Sequence, residues 1–290
     1  MADVEPSEPA VKAAYDLAAP CRICPRNCGV NRLRNERGHC GIGAVPLVSS
    51  AAPHFGEEPP LVGRGGSGTI FLAGCSLLCA FCQNYEISHG RAGRPAEPAR
   101  IADMMLALER NGCENVNLVT PTHVAPWLMD AVRTARLGGL SVPVVYNCGG
   151  YETVETLRLL EGTVDIYMPD AKFWLPESAQ RYARAPDYPE QVRDALKEMQ
   201  RQVGDLRIED GVALGGLLIR HLVMPGGTAE STQILDFIAR EVSPSASVNV
   251  MAQYRPLYKA RDYPEISRPV ARDEYHRVRD HAREMGLRLV

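Results

Sequence analysis

The sequence predicts an α/β protein: a partial (β/α)6 barrel of the TIM type, with a small cysteine-rich metal-binding segment in front of it. From Thr69 onward, six short β-branched apolar runs alternate with longer stretches of helical periodicity, and such alternation implies a parallel sheet. No Gly-x-Gly-x-x-Gly turn follows the first run, which disfavours a doubly wound open sheet. The residues able to carry chemistry gather just after the runs, where such barrels have their mouth. A chain of 290 residues suffices for one barrel or for two small domains.

Met1 to Pro9, acidic and proline-bearing, reads as a frayed leader and lacks the basic start and apolar stretch of a signal peptide. A short helix is expected over Val11 to Ala19. Cys21, Cys24, Cys28 and Cys40 then follow with C-x2-C-x3-C-x11-C spacing, and the Pro and Gly residues among them supply turns that aim backbone N–H groups at sulfur. Four thiolates close around one ion or one cluster, so this segment is expected to bind structural zinc or, second in preference, an iron–sulfur cluster. His39, beside Cys40, is expected at the surface. Residues 44 to 68 hold five glycines and Pro46, Pro53, Pro59 and Pro60, which reads as an irregular connector with at most a short hairpin. The expected division is therefore leader, metal segment and connector over 1–68 and barrel over 69–290.

Within the barrel, strands are expected at Thr69 to Ala73, Asn115 to Thr120, Val142 to Asn147, Val164 to Met168, Leu217 to Met224 and Ser247 to Ala252. Helices are expected at Ala99 to Arg110, Ala125 to Arg136, Thr153 to Glu161, Pro189 to Val203, Thr228 to Glu241 and Arg272 to Met285. Directly after the first strand stands Cys75-Ser76-Leu77-Leu78-Cys79-Ala80-Phe81-Cys82. Thiolates select zinc, copper(I) or iron–sulfur clusters; a structural zinc site wants four closed ligands, whereas a cubane held by three cysteines keeps one iron open to chemistry. Arg220, in the middle of the fifth apolar strand, must face a polar cavity or a partner, while His221 on the opposite face reads as structural.

The spacing C-x3-C-x2-C with an aromatic before the last cysteine, after Gly68-Thr69-Ile70-Phe71, resembles the cluster loop of the radical S-adenosylmethionine (radical SAM) enzymes. Gln83 to Ser88, His54 to Pro60, Val119 to His123, Val145 to Asn147, Asp165 to Lys172, Arg220 to Gly226 and Asn249 to Pro256 are similar to the branch related to pyruvate formate-lyase activating enzymes, often called PflX-like. The resemblance implies that Cys75, Cys79 and Cys82 each ligate an iron of a 4Fe-4S cluster. S-adenosylmethionine would chelate the fourth iron, with Phe81 near the adenine. It implies cofactor contacts at Thr120, Thr122 and His123, which stand where relatives carry a Gly-Gly-Glu turn; Thr120 and Thr122 are equally suited to capping the helix from Ala125. It gives Asp170 and Lys172 the cofactor's methionine carboxylate and a monovalent cation, with Asn147 where relatives place an aspartate. Arg220 would take the carboxylate of S-adenosylmethionine, and Gln253 and Arg255 the ribose or the substrate.

A net charge of -3 and the lack of any Lys/Arg block argue against a nucleic-acid partner. The longest apolar candidate, Gly215 to Met224, is broken by Arg220 and His221, so no membrane span is expected. Nine cysteines without a secretory signal fit metal binding in a reducing cytoplasm. Cys148 reads as a core filler or a radical relay, Cys113 as inert, and Tyr167, Phe173 and Trp174 as packing or pocket lining. The expected function is that of an oxidoreductase-like radical SAM enzyme acting on an unidentified substrate. Its partners would be an electron donor such as flavodoxin or ferredoxin and a small-molecule or protein substrate. The alternatives are an activase of a glycyl-radical enzyme and a non-catalytic iron–sulfur or metal-binding protein.

Overall fold

The computed structural model describes residues 8–290, so most of the leader read over Met1 to Pro9 lies outside them. In chain order the elements are α1 (Glu8–Asp16), β1 (Leu47–His54), α2 (Pro59–Val62), β2 (Ser67–Leu72), α3 (Tyr85–Ser88), β3 (Arg94–Pro95), α4 (Pro98–Arg110), β4 (Asn115–Val119), α5 (Ala125–Leu137), β5 (Val144–Cys148), α6 (Val154–Leu159) and β6 (Ile166–Pro169). There follow α7 (Pro176–Ala183), α8 (Tyr188–Val203), β7 (Arg207–Glu209), β8 (Val212–Leu222), α9 (Ser231–Phe237), β9 (Ser247–Met251), α10 (Arg272–Glu284) and β10 (Arg288–Leu289). The sheet runs β10-β9-β8-β6-β5-β4-β2-β1-β3, with β2, β4, β5, β6, β8 and β9 paired in parallel. These six are the six expected apolar runs.

Four stretches depart from what the sequence predicts. The connector contains β1, which pairs antiparallel with β2 from Val48 to His54 and joins the sheet. Its sequence, Leu-Val-Ser-Ser-Ala-Ala-Pro-His, does not alternate because only Val48 is buried, and Pro53 is tolerated because β3 covers just the first two residues of the outer edge. The fifth run starts earlier than expected: β7 and β8 form a hairpin across Asp210 and Gly211, whose φ angles of 50° and 84° are those of a two-residue turn that follows the strand twist. The α7 helix was not expected, and the helix expected over Thr228 to Glu241 is α9 followed by a π-helical turn, Ile238–Val242.

The sheet is curled, and contacts across its open side show how far. Arg220 of β8 reaches Glu57 and Glu58, in the turn after β1, although β6, β5, β4 and β2 separate the two strands in the sheet. Its Nε and Nη2 donate to Glu58 at 2.7 and 2.6 Å, Nη2 also meets Glu57, and Asn249 Nδ2 of β9 donates to Glu58 at 2.7 Å. Side chains thus close the side that strands leave open. Leu61 of α2 plugs the inside against Val145, Ile166, Met168, Leu206, Ala213 and Leu218, while the larger core lies between the sheet and its outer helices. Burial by itself would raise Glu58, but Arg220 and Asn249 outweigh it and hold the carboxyl below its ordinary value.

Breaking a buried pair leaves an uncompensated charge, so Glu58→Ala should lower stability by about 3–5 kcal/mol, read by urea unfolding at neutral pH. Because the folded-state pKa is depressed, the contribution of Glu58 is present above its unfolded value and is lost as pH falls below it. A loss under about 1 kcal/mol, the level of an exposed pair, would refute the closing role.

Candidate active site

A cavity of about 450 Å³ opens at the C-terminal ends of the parallel strands, lined by Cys75, Cys79, Phe81 and Cys82 after β2, Thr120 after β4, Asn147 of β5, Asp170 and Lys172 after β6, Arg220 of β8 and Gln253 after β9. Such a volume is that of a single cofactor-sized ligand. The cysteine loop turns through Gly74 and Leu78, with φ of 85° and 58°. Glycine is required at 74, because a Cβ there would lie 2.6 Å from Ile42 Cγ1 and 3.0 Å from the Cys40 carbonyl. The cysteine-rich segment is therefore packed directly on the residue before Cys75.

The loop is held from outside the cavity. Arg26 donates to the Ser76 and Leu77 carbonyls at 2.7 and 3.3 Å and to Ala183 at 3.1 Å. Ala80 N donates to Tyr182 O at 2.8 Å, and Lys259 N to Ala80 O at 2.9 Å. Cys75 Sγ accepts the Leu77 N–H at 3.4 Å, and Cys82 Sγ lies 3.2 Å from Ser88 Oγ. Burial pushes the Cys79 thiol up to about 12 against the pull of Lys172, so a thiolate there calls for the charge of a metal. Phe81 is wedged between Phe173 and Tyr254 at ring distances of 6.1 and 5.8 Å.

Asp170 and Lys172 form a close ion pair on the cavity wall. Burial works against the Lys172 ammonium, but Asp170 and Cys79 outweigh it and keep it charged well above its ordinary range. Tyr188 Oη pins the backbone behind them, accepting from Lys172 N at 3.0 Å and donating to Asp170 O at 2.7 Å. Asn147 Oδ1 accepts a long 3.4 Å hydrogen bond from Arg220.

Several residues expected at the cofactor lie elsewhere. Of the Thr120-Pro121-Thr122-His123 turn only Thr120, with φ 62°, reaches the cavity. Thr122 and His123 are buried away from it: Thr122 donates to Glu152 Oε1 at 2.5 Å, and His123 Nε2 meets the Ala73 carbonyl at 2.8 Å. Neither threonine caps α5, which follows Val124 without a side-chain cap. Arg255 is exposed and does not line the cavity. Arg220 does line the cavity, where it meets two carboxylates of this chain, Glu57 and Glu58. Tyr167, Phe173 and Trp174 serve packing, against Tyr146, Tyr188 and Phe237 respectively. His221 is buried between the Ala171 carbonyl and Ser231 Oγ, each at 2.7 Å, as its strand parity suggested.

The sequence reading passed over three groups. Glu57 and Glu58 carry a local signal, paired acids before a Pro-Pro helix start. Glu152 carries none. It is fully buried, accepts from Thr122 and from Tyr146 Oη at 3.2 Å, and burial raises its carboxyl to about 7. Cys148 contacts this carboxyl and is almost wholly buried, while Cys113 is buried apart from the site.

In the N-terminal segment Cys21, Cys24 and Cys40 are buried and Cys28 half-buried. Cys28 Sγ accepts the His39 N–H at 3.3 Å, and a Cβ on Gly38 would stand 2.7 Å from that sulfur. His39, expected at the surface, is half-buried, and its Nε2 is buried without a hydrogen-bond partner. Among the described residues, no three His, Cys, Asp or Glu side chains stand at the spacing that holds a single metal ion, in this segment or in the cysteine loop. No helix of the described chain is long and apolar enough to cross a membrane.

A model of the radical SAM superfamily matches residues 69–238. The chain is 35% identical to an uncharacterized protein of Methanocaldococcus jannaschii, MJ0674, over 97% of this chain and 79% of that one. Its fold is similar to that of HydG, a maturase of the FeFe-hydrogenase, with a TM-score of 0.50 at 14% identity, over 75% of this chain. The match spans about half of HydG, 49% of its length.

Glu152 gives a further test. Its folded value near 7 exceeds the ordinary 4.5, so the stability it contributes is complete below 4.5 and is lost as pH rises toward 7. Glu152→Gln should abolish that slope and raise stability above pH 7 by on the order of 3 kcal/mol, read from urea midpoints at about pH 5 and pH 8. Parallel pH profiles for variant and wild type would refute the buried protonated carboxyl.

Proposed function

The chain belongs to the radical SAM superfamily, and from that premise we propose that Cys75, Cys79 and Cys82 hold a 4Fe-4S cluster with S-adenosylmethionine bound beside it in the cavity. One observation carries this reading: the three thiols of the C-x3-C-x2-C loop line a single cavity, together with a charged Lys172–Asp170 pair, at the strand ends that form the mouth of a parallel barrel. Three soft sulfur donors suit an iron–sulfur cluster with one open iron. When bound, this pair supplies a 5'-deoxyadenosyl radical that abstracts hydrogen from a substrate.

The chain's own groups hold and orient. Lys172 offsets the negative charge of the thiolates, Cys79 acting on it most strongly among them. Asp170, Asn147 and Thr120 line the cavity with oxygen and amide groups that would bind the amino-acid end of the cofactor, and Phe81 would support the loop near its adenine. Arg220 acts as a positioning residue, its fork fixed by Glu57 and Glu58. Gln253 stands at the rim, where a substrate meets a cavity already filled by one cofactor.

Within the superfamily we assign the PflX-like branch on the motifs around His54, Asp170 and Arg220, and a reductant such as flavodoxin or ferredoxin. A small molecule is preferred over a glycyl-radical partner, because residues 83 to 112 lack the cysteines of the ferredoxin insert found in many activases. Cys21, Cys24, Cys28 and Cys40 form a second metal site, for zinc or a cluster.

Anaerobic reconstitution with iron and sulfide, followed by reduction in the presence of S-adenosylmethionine, should give 5'-deoxyadenosine detectable by chromatography. Cys79→Ser should reduce it to background. Absence of 5'-deoxyadenosine from a cluster-loaded wild-type chain would overturn the catalytic reading in favour of a non-catalytic metalloprotein.

A further inference from the structure

Arg32 is a buried cation with no counter-charge in hydrogen-bond reach. It is 1% exposed. Its Nε donates to the Gly43 carbonyl at 3.0 Å, its Nη1 to the His123 carbonyl at 2.8 Å, its guanidinium lies 4.8 Å from the centre of the Trp127 ring, and its Nη2 has no hydrogen-bond partner. All of its bonded oxygens are neutral carbonyls. A buried charge is retained only where something of opposite sign compensates it.

The candidate for that sign lies beside it. Arg32 begins a short 3-10 turn, Arg32–Arg34, between Cys28 and Cys40, and its backbone N–H donates at 2.9 Å to the carbonyl of Ala18, which is bridged to Cys21. The backbone folds the four cysteines into one group: Cys21 N donates to Val30 O at 2.8 Å, Cys21 O accepts from Gly29 N at 3.0 Å, and a Cβ on Gly38, two residues before Cys40, would stand 2.7 Å from Cys28 Sγ. Backbone N–H groups already point at it, from His39 to Cys28 at 3.3 Å. We propose that Cys21, Cys24, Cys28 and Cys40 hold an iron–sulfur cluster, and that Arg32 is the buried counter-charge of its four thiolates. Four thiolates around such a core carry a net negative charge, which supplies what Arg32 lacks. A cluster fits better than zinc because, among the described residues, no three of these side chains form a group that could hold a single metal ion, the arrangement that four-coordinate zinc requires. The site lies outside residues 69–238 and so outside the matched superfamily domain.

The test uses the full chain with Cys75, Cys79 and Cys82 replaced by alanine, reconstituted anaerobically with ferrous iron and sulfide. Iron and sulfide should be retained in equal amounts and lost on adding Cys24→Ala; zinc bound in preference to iron, or no metal, overturns the proposal. Should that variant not fold, iron for two clusters in the wild-type chain supports the proposal and iron for one overturns it. Arg32→Met should lower iron affinity about 10-fold or more and shrink the rise in melting temperature that loading brings, with Arg32→Lys restoring part of both. An Arg32 of purely structural role lowers loaded and metal-free melting temperatures alike, and that result overturns the counter-charge. Neither readout involves cleavage of S-adenosylmethionine, so failure here is distinct from failure of the catalytic reading.

Discussion

The Arg220 fork clasped by Glu57 and Glu58 is the interaction on which the rest of the molecule depends. Six parallel strands with twist curl but do not close, and the side between β1 and β9 has no backbone pairing to hold it. A planar, permanently charged group with five donors is suited to bridging that gap, because it satisfies two carboxylates at once and reaches Asn147 as well. The contact draws α2 under the barrel, and Leu61 with it, so one cluster of charges sets both the curvature of the sheet and the filling of its interior.

The same logic of short bridges governs the cysteine loop. The loop buries Leu77, Ala80 and Phe81, and further order comes from groups outside it. Arg26 ties its carbonyls to the end of α7, Tyr182 and Lys259 take the Ala80 amide and carbonyl, and the N-terminal segment sits on Gly74. Arg32, His123 and Ala73 form a second tie, from the Arg32 guanidinium to the His123 carbonyl and from the His123 ring to the carbonyl two residues before Cys75. The cysteine-rich segment is thereby a structural part of the cavity's wall.

Two clusters of interior charge are arranged as ion pairs, while Arg32 is held by neutral carbonyls and Glu152 stands apart from any cation. Lys172 with Asp170 and Arg220 with its two carboxylates stay ionised through their partners. Glu152 has only hydroxyls and a thiol about it, so burial raises its carboxyl to about 7 and it acts as a hydrogen-bonding core group behind β5. This explains why Thr122 and His123 face inward: Thr122 Oγ1 and His123 Nε2 complete buried sites at Glu152 and the Ala73 carbonyl.

Periodicity determined the strands. Leu118, Val145, Ile166, Leu218 and Val248 lie in apolar runs whose burial on both faces is a property of the local sequence, and the cysteine spacing carried its chemistry in the same local way. His221 could be assigned to the core from strand parity alone. β1 could not be read, because a strand exposed on most of its length has no hydrophobic pattern, and the Asp210-Gly211 hairpin was hidden in a run that looked continuous. The destinations of Arg220, Thr122, His123 and Arg255 were decided only by the tertiary structure. A sequence states that a charge or hydroxyl needs a partner, but the partner here lies 162 residues away for Arg220 and 30 for Thr122. Which group meets it depends on how far the sheet curls, a property of all the strands together.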